Sequence, residues 1–187
     1  DKPDIRFDME LNDLSEYVED SDFNIFKETL KEGGLVKGIV CPNSDNYSRK
    51  VIDELTEKLK RYYGAKGLAW MKSADGNLVG GISKFFSDKI KKKIIKDLSI
   101  DDNSTLFIVG DGKKVVHNSL GALRLELADR EEMIDHSKWG PLWVVDFPLV
   151  EWDEGNNRWD SLHHPFTSPF MEDVNLIESN PGEVRSL

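Results

Sequence analysis

The sequence has little cysteine and no long hydrophobic run. Its 187 residues include one cysteine, Cys41, which excludes a disulfide within the chain and a zinc site built on cysteines. A reducing compartment follows most simply, so we expect the protein to be cytoplasmic. Nothing resembles a signal peptide or a membrane span, and we therefore expect no membrane partner.

Positive charge is also scarce. The chain has 25 Lys and Arg against 35 Asp and Glu, a formal net charge of −10. Indiscriminate attraction to nucleic acid requires clustered Lys and Arg, so this balance argues against DNA as a partner. Any contact with RNA must therefore be local.

One local exception is a lysine-rich helical stretch that contains only two acidic residues, Asp88 and Asp97. Such a strip can contact RNA phosphates, because lysine binds phosphate without base specificity. The alternative is a solvated helix face opposite an apolar stripe. The candidate RNA-binding residues are Lys84, Lys89, Lys91, Lys92, Lys93 and Lys96.

The middle of the chain alternates strand-like and helix-like segments. Ser48 is a good helix N-cap and Gly64 a good helix end. The segment before Gly33 fits either the first arm of a hairpin or a short helix. This pattern predicts an α+β fold, a two-layer sandwich of a mainly antiparallel sheet with helices on one face. The predicted strands are 35–40, 67–72 and 105–109, and the predicted helices are 48–64, 82–98 and 115–127.

The last quarter of the chain resembles the edge of a binding site. Two strand-like runs, 142–152 and 158–162, are separated by a polar turn. The second run leads into His163 and His164, in a loop that Pro165 and Pro169 restrain. An imidazole can be cationic near neutral pH, so it suits a ligand that bears carboxylates. The alternative is a pair of half-exposed histidines at a strand end.

Four acidic residues near this turn raise the possibility of a magnesium site, because hard cations prefer carboxylate oxygens. A charged hairpin turn explains them more simply, and we predict no metal site. The four residues are Glu151, Asp153, Glu154 and Asp160.

Several phrases resemble bacterial-type aspartyl-tRNA synthetases. They follow the order of that family and extend over nearly the whole chain. They are DKPD at 1–4, YGAKGL at 63–68, GALRL at 121–125, WVVDFPLVEW at 143–152, HHPFTSP at 163–169 and PGEVR at 181–185.

The resemblance implies a domain arrangement. Residues 23–128 are expected to be a GAD-like insertion domain. Residues 1–22 and 129–187 are expected to be strand-bearing segments of a class II synthetase catalytic domain. In this family the ATP-gripping arginine lies upstream of the DKPD-like phrase, and the last signature motif follows the PGEVR-like phrase. We therefore expect an internal fragment that has no catalytic residues and is inactive alone.

The resemblance also implies a function for the parent protein. It is expected to activate L-aspartate with ATP and Mg²⁺ and to transfer the aspartyl group to the 3′ end of tRNA, as a homodimer. His163 and His164 are implied to contact aspartate, and neither ATP nor Mg²⁺ is expected to bind this fragment. The alternative is a self-standing GAD-type module that binds tRNA or a protein without catalysis.

Overall fold

A computed structural model describes residues 3–164 and 166–187. Asp1 and Lys2 of the first family phrase, and Pro165 of the histidine loop, lie outside the described residues. The chain divides into two compact units. The larger is Arg6–Trp139, and the smaller combines the residues up to Ile5 with Gly140–Leu187.

The larger unit contains one sheet and five α-helices among its described residues. Its strands are β1 (Asn12–Asp13), β2 (Leu35–Cys41), β3 (Ala69–Ala74), β4 (Asn77–Val79) and β5 (Thr105–Asp111). Its helices are α1 (Ser15–Glu19), α2 (Asn24–Lys31), α3 (Arg49–Tyr63), α4 (Asp88–Asp97) and α5 (Lys113–Arg130).

The sheet is antiparallel throughout, with strand order β1-β2-β5-β3-β4. Its centre is the long pairing of β2 with β5, which runs from Leu35 opposite Asp111 to Cys41 opposite Thr105. Successive side chains of a strand point to opposite faces, so each strand contributes to two apolar layers.

Helices pack on both faces of this sheet. Phe107 and Val109 of β5 join a core with α3 and α5, whereas Leu106 and Ile108 join a core with α1, α2 and α4. The α+β class with a mainly antiparallel sheet is confirmed. The prediction placed helices on one face only, and the structure adds the second helical layer because β5 is apolar on both faces.

The helix boundaries follow local signals. The Ser48 hydroxyl accepts a hydrogen bond from Val51 N–H at the start of α3, and Gly64 ends that helix at φ 74°. α4 begins after Ser87, whose hydroxyl accepts from Ile90 N–H, rather than at residue 82. Ser83–Phe85 instead form a short 3₁₀ helix. Before Gly33 the chain is helical, so the short-helix alternative is correct.

Arg124 of α5 holds the start of this unit. Its Nε donates to the Met9 carbonyl at 2.7 Å and its NH2 to the Phe7 carbonyl at 3.0 Å. Its guanidinium carbon also lies 3.9 Å from the centroid of the Phe7 ring. Because Phe7 and Met9 are buried, their carbonyls need such donors.

The smaller unit contains a hairpin of β6 (Val150–Asp153) and β7 (Arg158–Ser161), and a short helix α6 (Leu176–Ser179). The predicted strand at 142–152 is realised only over its last three residues, and β6 continues to Asp153. Asp146 has a positive φ of 54°, and Pro148 has no N–H to donate, so a regular strand cannot run through them. The chain pairs there only by an isolated bridge from Pro148 to Arg185.

Within residues 3–164 and 166–187, no helix combines the length and apolar character needed to cross a membrane.

Candidate functional site

His163 lies at the end of β7, in a defined environment within the smaller unit. Its ring is half-buried and meets the Phe147 ring edge-on, with centroids 4.7 Å apart. Its Nε2 lies 3.2 Å from the Ser186 hydroxyl. The Ser161 hydroxyl donates to the His163 carbonyl at 2.9 Å, which fixes the backbone next to the ring. The imidazole is therefore held from two sides while its backbone is tied to β7.

The segment that carries Ser186 is itself anchored. Arg185 donates from Nε and NH2 to the two carboxylate oxygens of Asp173, at 2.8 and 2.9 Å. The Arg185 side chain holds the pKa of Asp173 below its ordinary value, and Asp173 in turn raises the pKa of Arg185. A bidentate pair of this kind fixes orientation as well as charge. The next residue, Ser186, donates its N–H to the Phe147 carbonyl at 2.7 Å.

His164 differs from its neighbour. It is exposed, its Nδ1 accepts from Phe166 N–H at 3.4 Å, and its ring lies 4.7 Å from the Phe166 ring. These contacts are with a residue two positions away, so they fold the loop locally. The two histidines are adjacent in sequence but have different partners.

The smaller unit also exposes much apolar surface. Trp143 is 94% exposed and Phe166 is 90% exposed. An open groove of about 170 Å³ lies beside the hairpin, and neither histidine lines it. Such surfaces are typical of faces that another polypeptide covers. The groove is lined by Leu149, Val150, Trp159, Ile177, Pro181 and Val184.

Two of the acidic residues of the hairpin, Asp153 and Asp160, have structural partners. Asp153 accepts from Gly155 N–H at 2.8 Å and from the Asn156 side chain at 2.7 Å, which closes the turn. The hydrogen bond from the Asn156 side chain lowers the pKa of Asp153 most, and the bond from the Asn156 N–H lowers it further. Asp160 pairs with Arg158 at 2.7 Å. Among the described residues, no group of three or more His, Cys, Asp or Glu side chains is arranged to hold a metal ion.

The candidate lysines divide into two groups. Lys91 is only 13% exposed and pairs with Asp88 at 2.7 Å. Lys93 pairs with Glu16 and lies over the Tyr17 ring, and Lys84 lies over the Phe85 ring. The remaining three, Lys89, Lys92 and Lys96, are exposed, and their spacing of i, i+3 and i+7 places them on one face of α4. We call these three residues the lysine face.

A polar cluster in the larger unit was not foreseen from the sequence. The buried Tyr47 hydroxyl donates to Glu131 at 2.6 Å and accepts from the Cys41 thiol at 3.2 Å. Burial raises the pKa of Cys41 to about 11 and, with both partners, that of Tyr47 as well. Burial opposes ionisation of Glu131, but hydrogen bonds from Tyr47, Asn43 and Asn46 together lower its pKa. The partners lie 84 to 88 positions from Glu131, so no local pattern indicates the cluster.

The larger unit carries a recognised family signature. The family model for the GAD domain matches residues 26–120. This chain belongs to the GAD-domain family. The match lies within the predicted insertion at 23–128 and within the larger compact unit.

Relatives of this GAD-domain protein match all of it. The chain is 50% identical over 187 residues to an aspartate–tRNA ligase of Halalkalibacterium halodurans. It is 46% identical over the same length to an aspartate–tRNA(Asp/Asn) ligase of Desulfatibacillum aliphaticivorans. In both cases the whole chain is covered, and it spans 31% of the length of the relative. The resemblance to aspartyl-tRNA synthetases that was noted in the sequence is confirmed.

Proposed function

We propose that this chain is an internal segment of an aspartate–tRNA ligase, a class II synthetase of the cytoplasm. The parent activates L-aspartate with ATP to aspartyl-adenylate and transfers the aspartyl group to the 3′ end of tRNA, acting as a homodimer. The observation that carries the proposal is 50% identity across all 187 residues to a ligase of that name. The exposed apolar groove supports it, because a free module would leave this surface uncovered.

In this proposal the GAD-like domain, residues 23–128, interrupts the catalytic domain. Residues 1–22 and 129–187 are the catalytic-domain segments on its two sides. The family match at 26–120 supports the insertion. Buried residues such as Phe7 and Leu14 belong to the core of the larger unit. Residues 6–22 thus pack on the insertion that they lead into.

His163 is the residue of this chain that we propose contacts aspartate, with His164 beside it. A half-buried imidazole keeps a fixed position, and a protonated ring donates to a carboxylate. The ring of His163 has packed and hydrogen-bonded neighbours, whereas His164 has contacts only within its loop. The geometry therefore favours His163 as the more rigid of the two ligand-binding groups.

We infer that the chain is inactive by itself. Adenylate formation relies on aligning the carboxylate with the α-phosphate and on cationic stabilisation of the transition state. The described residues contain no group suited to Mg²⁺, and we assign to this chain no residue that grips ATP. ATP and Mg²⁺ are proposed to bind elsewhere in the parent.

A second, local function concerns the lysine face of α4. We propose that Lys89, Lys92 and Lys96 contact the phosphates of tRNA in the parent. These three side chains share one exposed face. Phosphate contacts of this kind add affinity and salt dependence without base specificity. Lys84, Lys91 and Lys93, which have ring or carboxylate partners, contribute less.

The first test is aspartate-dependent ATP–pyrophosphate exchange, measured on this chain and on the full-length product of its gene. Exchange by the full-length protein alone supports the proposal. Exchange by the chain itself would overturn its inactivity. Absence of exchange in both proteins would favour the alternative, a GAD-type binding module without catalysis.

A further inference from the structure

The Ser186 hydroxyl contacts the His163 ring while it donates its hydrogen to the Phe147 carbonyl. We propose that Ser186 is a positioning residue that fixes the tautomer and the orientation of the His163 ring. The inference deepens the proposed function and rests on it for its consequence, namely that His163 contacts aspartate. Its structural part concerns only residues of the smaller unit.

The assignment follows from counting donors. A serine hydroxyl has one hydrogen to donate and two lone pairs to accept. The Ser186 hydroxyl donates its hydrogen to the Phe147 carbonyl at 3.0 Å, the shorter of its two contacts. Toward His163 Nε2, 3.2 Å away, the hydroxyl oxygen can then only accept. Nε2 must therefore carry the hydrogen, and a neutral His163 is the Nε2–H tautomer.

Phe147 holds both members of the pair. Its carbonyl accepts from the hydroxyl of Ser186 and also from the N–H of Ser186, at 3.0 and 2.7 Å. Its ring packs edge-on against the His163 ring. Since Ser186 is buried and follows the anchored Arg185, the accepting oxygen has little freedom to move away.

The consequence concerns the other ring nitrogen. No residue within 3–164 and 166–187 hydrogen-bonds Nδ1 of His163, so Nδ1 is the ring atom left for a ligand. With Nε2–H fixed, Nδ1 accepts when the ring is neutral and donates when the ring is protonated. An aspartate carboxylate, which can only accept, therefore meets the Nδ1–H of the protonated ring, while the Nε2–H remains directed at Ser186.

The direct test uses ring ¹⁵N shifts of the ¹⁵N-labelled 187-residue chain, recorded above the titration range of the histidines. His163→Gln identifies the resonances of His163. We expect the Nε2–H tautomer in the original chain. In Ser186→Ala the ratio of the two tautomers should fall about fivefold to tenfold, the loss expected for one hydrogen bond. Ser186→Thr keeps the hydroxyl and should restore the ratio.

Folding and function are separated by two further readouts. His117, His136 and His164 serve as internal controls, because their ring signals should not change in Ser186→Ala. In the full-length ligase, Ser186→Ala should raise the KM for aspartate and leave the KM for ATP, and Ser186→Thr should restore the former.

Two results would overturn the inference: an Nδ1–H tautomer in the original chain, or a tautomer ratio that is the same in Ser186→Ala. Failure of the proposed function has a different signature. In that case His163→Ala would leave the aspartate KM unchanged, while the tautomer of His163 would still depend on Ser186.

Discussion

At the scale of single residues, the structure gives two adjacent histidines different surroundings. His163 is fixed by Phe147 and Ser186, and His164 by its near neighbour Phe166. Of these two adjacent residues of the same type, only His163 is held in place by residues distant in the sequence, within the part of the chain that the structure describes. What distinguishes them is supplied by residues 16 and 23 positions away from His163.

The first residue-scale prediction concerns His163→Ala in the full-length parent protein, assayed as the proposed ligase. Loss of a charge-assisted hydrogen bond to a carboxylate costs about 1.5–3 kcal/mol, so the aspartate KM should rise about tenfold or more. The KM for ATP should stay the same, and so should the melting temperature. His164→Ala is the matched control and should have the smaller effect. An unchanged aspartate KM in His163→Ala would remove His163 from the site.

The second residue-scale prediction concerns Tyr47→Phe. It removes the donor to Glu131 and should lower the free energy of unfolding by about 2 kcal/mol at pH 7. Tyr62→Phe is the control, because Tyr62 is 65% exposed, and it should change little.

The pH dependence of this effect has a defined sign. The folded-state pKa of Glu131 is lowered from 4.5. Its contribution to stability is thus present above that value and is lost as the pH falls through the folded-state pKa. The free energies of unfolding of Tyr47→Phe and of the original chain should therefore become more similar below about pH 4.5. Urea denaturation at several pH values measures both. A difference that is constant down to pH 3 would contradict the role of the Glu131 carboxylate.

At the scale of elements, the best-predicted parts are those with local chemistry. Ser48 and Gly64 delimit α3 because an N-cap hydroxyl and a left-handed glycine act within one turn. The helices on the second face of the sheet were not predicted. The run Leu106 to Val109 did indicate them, because uninterrupted apolar residues are typical of a strand buried on both faces. Ser186 and Arg185 could not be predicted as site residues, because their partners depend on tertiary packing.

Replacing Gly64 or Gly121 by alanine should change the stability of the chain in opposite directions. Gly64 has φ 74°, where a side chain is strained, so Gly64→Ala should destabilise the chain by about 1 kcal/mol. Gly121 lies inside α5, with no atom within 4 Å of an added Cβ. Gly121→Ala should therefore stabilise it by about 0.5–1 kcal/mol. Urea denaturation measures both, and the same sign for the two variants would refute the helix-end assignment.

If the lysine face of α4 contacts phosphates, it should contribute to the salt dependence of tRNA affinity. In the full-length parent protein, the combined Lys89→Gln, Lys92→Gln and Lys96→Gln variant should reduce the slope of log affinity for tRNA against log salt concentration. Each phosphate contact that is lost should account for about 0.7–0.9 of that slope.

A control triple of Lys31→Gln, Lys50→Gln and Lys66→Gln removes the same charge from three other places. Equal slopes for the two triples would assign the lysine face to solvent rather than to RNA.

At the scale of the whole molecule, the two units differ in how much they bury. The larger unit has two apolar cores, whereas among the described residues of 140–187 only Asp173, Val184 and Ser186 are buried. Local stability follows the number of buried contacts, so the units should open with different free energies.

Hydrogen exchange measures this difference. Amides of β2 and β5 should exchange slowly, and those of β6 and β7 much faster, in the 187-residue chain. In the full-length parent protein, β6 and β7 should become protected if the rest of the polypeptide covers them. Equal protection of β5 and β7 in the chain alone would contradict the proposal that its apolar surface needs a cover.

The hold of Arg124 on Phe7 and Met9 has a consequence for the order of events during synthesis. The carbonyls that this side chain binds lie 117 and 115 positions earlier in the chain. On the ribosome, these residues emerge long before their donor has been made. Phe7 and Met9 thus acquire these hydrogen-bond donors only when most of the domain has been translated.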